Sequence, residues 1–229
     1  MLSISTLNVY YGESHVIHDA QFDLAPGAAI AVVGRNGMGK STLLKALIGM
    51  VPTKSGSIKL AEHELAGLPS YDRVQAGLAY VPQGRMIFSQ LTVEENILTG
   101  LESGRYGDIP DFIYEFFPVL HEMKTRKGGN LSGGQQQQLA IARALVSKPS
   151  VLILDEPTEG IQPSIIKEIA RSLNALRKEL GIAILVSEQV LSFALEVADR
   201  VLVIDRGRIV RAADKSNLDI EEVRSFLTV

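Results

Sequence analysis

Ala29-Ile30-Ala31-Val32-Val33-Gly34-Arg35-Asn36-Gly37-Met38-Gly39-Lys40-Ser41-Thr42 sets the fold class of this chain. Five apolar residues in a row, too few for a helix, indicate a strand buried on both faces. The run ends in Gly-x-x-x-x-Gly-Lys-Ser, spanning Gly34 to Ser41. From Ser41 to Ile48 the apolar residues Leu43, Leu44, Leu47 and Ile48 follow helical spacing. A buried strand, a glycine loop and a helix form the context in which this spacing binds phosphate. The glycines let the backbone N–H groups turn inward, and the helix offers its positive end to the same anion. Lys40 is then expected to reach the β- and γ-phosphates of a nucleotide and Ser41 to hold Mg²⁺. Gly34, Arg35, Asn36, Gly37, Met38, Gly39 and Thr42 complete the expected cradle.

Outward from this loop, Ile4, Leu7 and Val9, and then Phe22 and Leu24, suggest antiparallel strands before it. Ser57–Leu60 and Leu78–Val81 suggest further short strands after it. From about Arg85 to Val146 the pattern turns helical. Thr92-Val93-Glu94-Glu95 is a capping box opening a helix expected to run through Leu98 and Leu101. Helices are also expected over Asp111–Phe117 and Leu131–Val146. Val151-Leu152-Ile153-Leu154 is a second buried strand, and Ile165, Ile166, Ile169, Leu173 and Leu176 form the apolar stripe of a long helix. Strands over Ile182–Val186 and Val201–Ile204, a turn at Arg206-Gly207 and a helix over Ile220–Leu227 close the chain. The alternation predicts an α/β fold with a mostly parallel sheet, an antiparallel β part and a helical subdomain. The nucleotide-binding core is expected over 1–84 and 148–229, and the helical subdomain over 85–147.

The second strand ends in Asp155-Glu156. A buried parallel strand delivers its C-terminal residues to the edge of the sheet where ligands bind. Asp155 is placed to hold Mg²⁺, directly or through water, and Glu156 to polarise the water that attacks a γ-phosphate.

Leu131-Ser132-Gly133-Gly134-Gln135 narrows the reading. Physically it is a capped helix start: Ser132 caps, Gln135 completes the Ser-x-x-Gln box, and two glycines allow an anion to come close. This segment also resembles, letter for letter, the LSGGQ signature of the ABC ATPases, and the resemblance extends over essentially the whole chain. It implies ATP and Mg²⁺ as ligands, Tyr11 as the aromatic that stacks on adenine, and Gln83 as the glutamine that senses Mg²⁺ and water. It also implies a head-to-tail dimer in which each ATP lies between the phosphate loop of one subunit and Ser132–Gln135 of the other. The partners implied are a second ATPase subunit (or a second copy in isolation), two membrane permeases and, indirectly, an external solute-binding protein. The segment Arg85–Leu98, with Ile87 and Phe88, would meet the permeases.

The chain departs from the family pattern twice. The position of the switch histidine carries Gln189, and Glu159-Gly160-Ile161-Gln162 puts Gln162 in place of the usual aspartate. Glutamine donates hydrogen bonds but cannot shuttle a proton as histidine does. That leaves Glu156 as the base, assisted by Lys40, Gln83 and Gln189. Glu188-Gln189, Thr158–Ser164, Gln135–Gln138, Ala79–Arg85 and Phe112–Glu115 are similar to the branch serving branched-chain amino acid and urea importers. Urea import is the first expectation and amino acid import the alternative. A soluble ABC ATPase would be expected to carry two ATPase units or long coiled-coil inserts. A non-ABC kinase or GTPase would lack LSGGQ.

Bulk properties agree. The 229 residues carry a net charge of −3, which gives no electrostatic reason for a nucleic acid partner. There is no cysteine, so neither a disulfide framework nor a thiolate metal site is available. With no long apolar run and no signal-like start, the chain is expected in the cytoplasm, peripheral on the inner face of the membrane.

Overall fold

The computed structural model describes residues 1–101 and 108–227. The expected buried strand is β3 (Ala29–Val33), all of it buried, and it feeds α1 (Lys40–Leu47). Before it lie β1 (Leu2–Tyr11) and β2 (Ser14–Leu24). After it come β4 (Thr53–Leu60), the short β5 (His63–Glu64), α2 (Ser70–Gln75) and β6 (Leu78–Val81). The helical stretch holds α3 (Val93–Leu98), α4 (Asp111–Phe116), α5 (Pro118–Glu122) and α6 (Gly133–Leu145). Then follow β7 (Val151–Asp155), α7 (Pro163–Leu180), β8 (Ala183–Glu188), α8 (Leu191–Val197), β9 (Arg200–Asp205), β10 (Arg208–Asp214) and α9 (Ile220–Leu227).

Two sheets result. One is antiparallel, in the order β2-β1-β4-β5; the other runs β10-β9-β3-β8-β7-β6. In the second sheet β9, β3, β8, β7 and β6 are parallel, and β10 closes the edge antiparallel to β9. Alternate residues of β3 serve two cores, which explains its unbroken apolar run. Ile30 and Val32 pack with Leu43, Leu44 and Leu47 of α1 and with Ile4 and Leu7 of β1. Ala29, Ala31 and Val33 pack on the opposite face with residues from α3, α6, α7 and α8. The helical stretch therefore shares its apolar core with one face of the parallel sheet.

Ile4 and Leu7 are three residues apart, which breaks a simple strand alternation. Both are buried because the pairing of β1 with β2 shifts register between them, with Thr6 at φ 44. The expected helix from Val93 stops at Leu98, short of Leu101. A Cβ at Gly100 would lie 2.0 Å from the Arg143 carbonyl oxygen, so the chain here passes hard against α6. The helix expected over Asp111–Phe117 divides instead into α4 and α5. Phe117, held at φ −132 by the Pro118 that follows, is the break. The sequence reading did not anticipate α2, α5, α8 or β10. The turn at Arg206 and Gly207 has both residues at positive φ, the geometry of a tight hairpin between β9 and β10. Among the described residues no helix is long and apolar enough to cross a membrane.

Candidate functional site: the edge of the parallel sheet

The C-terminal ends of β3, β7 and β8 meet at one edge. Gly39 precedes α1 at φ 107, a conformation suited to glycine, and no side chain caps the helix. Its first N–H groups are therefore left for an anion. Lys40, only 3 % exposed, donates to the carbonyls of Gly34 at 2.8 Å and Arg35 at 3.2 Å. It also pairs with Glu156 Oε1 at 3.0 Å. A cleft of about 360 Å³ opens here, lined by Val16, Asn36, Lys40, Ser41, Gln83 and Glu156 among others.

Of the four residues expected to act in catalysis, three converge on the carboxylate of the fourth, Glu156. Glu156 Oε1 faces Lys40, while Oε2 accepts from Gln189 Nε2 at 3.0 Å and from Gln83 Nε2 at 3.3 Å. Gln83 donates also to Glu159 Oε2 at 3.1 Å. Glu156 itself sits at φ 46, a costly backbone for a non-glycine residue. Its N–H is shared between the Ser187 carbonyl and Ser187 Oγ, each at 3.1 Å, which holds that conformation against β8.

Asp155 is 1 % exposed, and both its oxygens accept hydrogen bonds. Ser41 Oγ donates to Oδ1 at 2.9 Å, Ser187 Oγ to Oδ1 at 2.6 Å, and the Tyr80 hydroxyl to Oδ2 at 3.0 Å. Ser41 and Asp155 thus present two hard oxygens within a hydrogen bond of each other beside the phosphate loop. This donor set suits Mg²⁺, which takes oxygen ligands and keeps several waters. Gln83, also expected at the metal, uses its amide nitrogen on the carboxylates of Glu156 and Glu159.

Other expected residues stand apart. Tyr11 ends β1, is half-exposed, and does not line the cleft. Arg35 and Met38 do not line it either: Met38 packs against the core beside α1, and its Sδ accepts from the Arg206 N–H. Ser132, Gly133, Gly134 and Gln135 form the start of α6 and contribute nothing to the cleft lining. Their capping box is present in both directions: Ser132 N–H donates to Gln135 Oε1 at 2.9 Å and Gln135 N–H to Ser132 Oγ at 3.4 Å. Gly134 also has a packing role: a Cβ there would lie 2.5 Å from Ile165 Cγ2, so α7 packs directly against it.

Four residues at the site escaped the sequence reading. Ser187 and Tyr80 hold Asp155, and Val16 lines the cleft. Buried Glu188 accepts from the backbone N–H groups of Thr158, Gln189 and Val190. Burial pushes the Glu188 carboxyl above its usual range, and these hydrogen bonds oppose the rise. The visible trace of Ser187 and Glu188 is two polar residues ending an otherwise apolar strand.

Between Gln83 and α3, Arg143 of α6 donates to the carbonyls of Met86 at 2.9 Å and Arg85 at 3.2 Å. Its guanidinium lies 5.5 Å from the centre of the Phe88 ring. Arg85 in turn donates to the Glu159 carbonyl at 2.8 Å. A groove of about 480 Å³ runs past Val74, Tyr80, Met86, Phe88 and Arg143. Phe88 is 51 % exposed along it, whereas Ile87 packs against the core.

The profile of the ABC transporter family matches residues 17–159. The chain is 43 % identical over 216 residues to the high-affinity branched-chain amino acid transport ATP-binding protein BraG of Pseudomonas aeruginosa, covering 92 % of this chain and 91 % of BraG. It is 40 % identical over 212 residues to the probable branched-chain amino acid transport ATP-binding protein LivF of Archaeoglobus fulgidus, covering 91 % and 90 %. Among solved structures, the ADP conformation of the ATP-binding cassette MJ1267 superposes with a TM-score of 0.84 at 25 % identity, covering 99 % of this chain and 94 % of that one. The chain belongs to the ABC transporter family, as an ATPase subunit with the ABC cassette fold.

Proposed function

We propose that the chain powers an importer of branched-chain amino acids by binding and hydrolysing ATP with Mg²⁺. The observation that supports the chemistry is the convergence of Lys40, Gln83 and Gln189 on Glu156, beside the Ser41–Asp155 oxygen pair. Lys40 and Glu156 neutralise each other as an ion pair. An arriving β,γ-phosphate competes for Lys40, and Glu156 is left with its two amide donors. Those donors aim the carboxylate without taking its charge, and it polarises the attacking water. Mg²⁺ when bound supplies positive charge against the phosphates. With Gln189 at the switch, proton acceptance falls to Glu156 alone.

The cleft is built from one side only, since Ser132–Gln135 lies outside it. On the family resemblance, the capped start of α6 from a second ATPase subunit completes the site. The groove at Phe88 and Arg143 then receives a permease, placing the chain at the inner face of the membrane. What favours amino acids over the urea expected from short motifs is the pair of amino acid transport relatives at 43 % and 40 % identity, each over about nine-tenths of the chain. Uptake of labelled leucine and labelled urea in a strain lacking only this chain tests the reading. Loss of leucine uptake with urea intact is expected; loss of urea uptake alone would restore the urea reading.

A further inference from the structure

Asp155 carries the metal on the reading proposed above, and a carboxylate that binds metal must present a fixed face. Its oxygens are held unequally. Oδ1 takes two donors, Ser41 Oγ at 2.9 Å from the phosphate loop and Ser187 Oγ at 2.6 Å from the neighbouring strand. Oδ2 takes the Tyr80 hydroxyl at 3.0 Å. The final torsion of an aspartate is a broad, roughly two-fold rotor, so anchoring one oxygen leaves the plane of the group free to turn. A second anchored oxygen removes that freedom. Tyr80 comes from β6, on the side of β7 away from Ser187, so the carboxylate is gripped from both flanking strands.

We propose that Tyr80 is a positioning residue for the metal step, its hydroxyl fixing the plane in which Asp155 meets Mg²⁺. A phenol is protonated at neutral pH, so the Tyr80 hydroxyl is the donor in this contact. An ionised carboxylate accepts only, so the sense of the hydrogen bond is fixed as well.

Tyr80→Phe removes the hydroxyl and keeps the ring, so packing beside α1 and the wall of the groove are preserved. The measurement is Mn²⁺ binding to the full chain with a non-hydrolysable ATP analogue, read from the free Mn²⁺ signal by electron paramagnetic resonance. Binding of the same analogue in EDTA serves as the control. A hydrogen bond to a charged group corresponds to roughly a tenfold change or more, so the variant should bind Mn²⁺ about tenfold more weakly. Its analogue affinity in EDTA should stay within about twofold of wild type, and saturating Mg²⁺ should restore most of the turnover. Equal Mn²⁺ affinity in the two proteins would overturn the role of Tyr80 and leave the ATPase reading standing. An equal loss of analogue affinity in EDTA would make Tyr80 a packing residue and overturn the proposal. Failure of the wild-type chain to bind Mn²⁺ with the analogue would overturn the ATPase reading and this proposal together.

Discussion

The end of β7 and the start of α6 are both polar ends of apolar elements, and they are finished differently. At the end of β7, Asp155 and Glu156 are 1 % and 8 % exposed, and their oxygens are occupied by Ser41, Ser187, Tyr80, Lys40, Gln83 and Gln189. At the start of α6, Ser132 and Gln135 satisfy each other, Ser132 is exposed, and the cleft lies elsewhere. One end is buried among its partners; the other is a capped helix terminus outside the cleft. On the proposed reading this difference is the reason for dimerisation, because catalysis needs both ends at one nucleotide.

The comparison breaks most sharply if the closed end is disarmed. Glu156→Gln should retain ATP binding and lower turnover by about 10²–10⁴-fold, the range for a general base. Steady-state hydrolysis and equilibrium ATP binding measure the two, and near-normal turnover would remove Glu156 from its role. Lys40→Ala should abolish nucleotide binding. It should also cost about 3 kcal/mol in urea denaturation, because Glu156 stays buried without its cation. Adding Glu156→Gln to that variant should return part of the lost stability, a coupling that a double-mutant cycle reads directly.

The open end is tested by packing. Gly134→Ala forces a Cβ to 2.5 Å from Ile165 Cγ2 and should destabilise by about 1–3 kcal/mol. Ile165→Ala in the same chain should relieve much of that cost; no relief would point back to an anion-binding need for the glycine. The smallest effect concerns Tyr11, which the structure leaves half-exposed at the end of β1. If it stacks on adenine, Tyr11→Ala weakens ATP binding by about 1–2 kcal/mol, and an unchanged affinity would mark it as a surface tyrosine.

The two ends also differ in how far the sequence reveals them. β3 and β7 read almost to the residue because a strand buried on both faces leaves an apolar run no other element of that length produces. The Ser132 capping box is equally local and equally legible. The hydroxyls around Asp155 are not. Ser187 reaches it through the parallel register Asp155↔Ser187, and Tyr80 through a strand pair whose register sets Tyr80 opposite Ile153. Such pairings join residues far apart in the chain, and no periodicity announces them. The packing role of Gly134 is hidden for a related reason: its neighbour Ile165 belongs to a different helix. The break between α4 and α5 was local, since Pro118 restricts Phe117, but the apolar spacing on both sides masked it.

The central claim is that one chain supplies half of each ATP site, and mixing two disabled chains tests it most directly. Lys40→Ala lacks the phosphate site and keeps α6 intact, whereas Ser132→Arg blocks the helix start and keeps the phosphate loop. Each alone should be nearly inactive. An equimolar mixture should recover about a quarter of wild-type turnover, since half of the dimers then carry one intact site of two. Wild-type turnover by the Ser132→Arg chain alone would show a self-contained site and contradict the account.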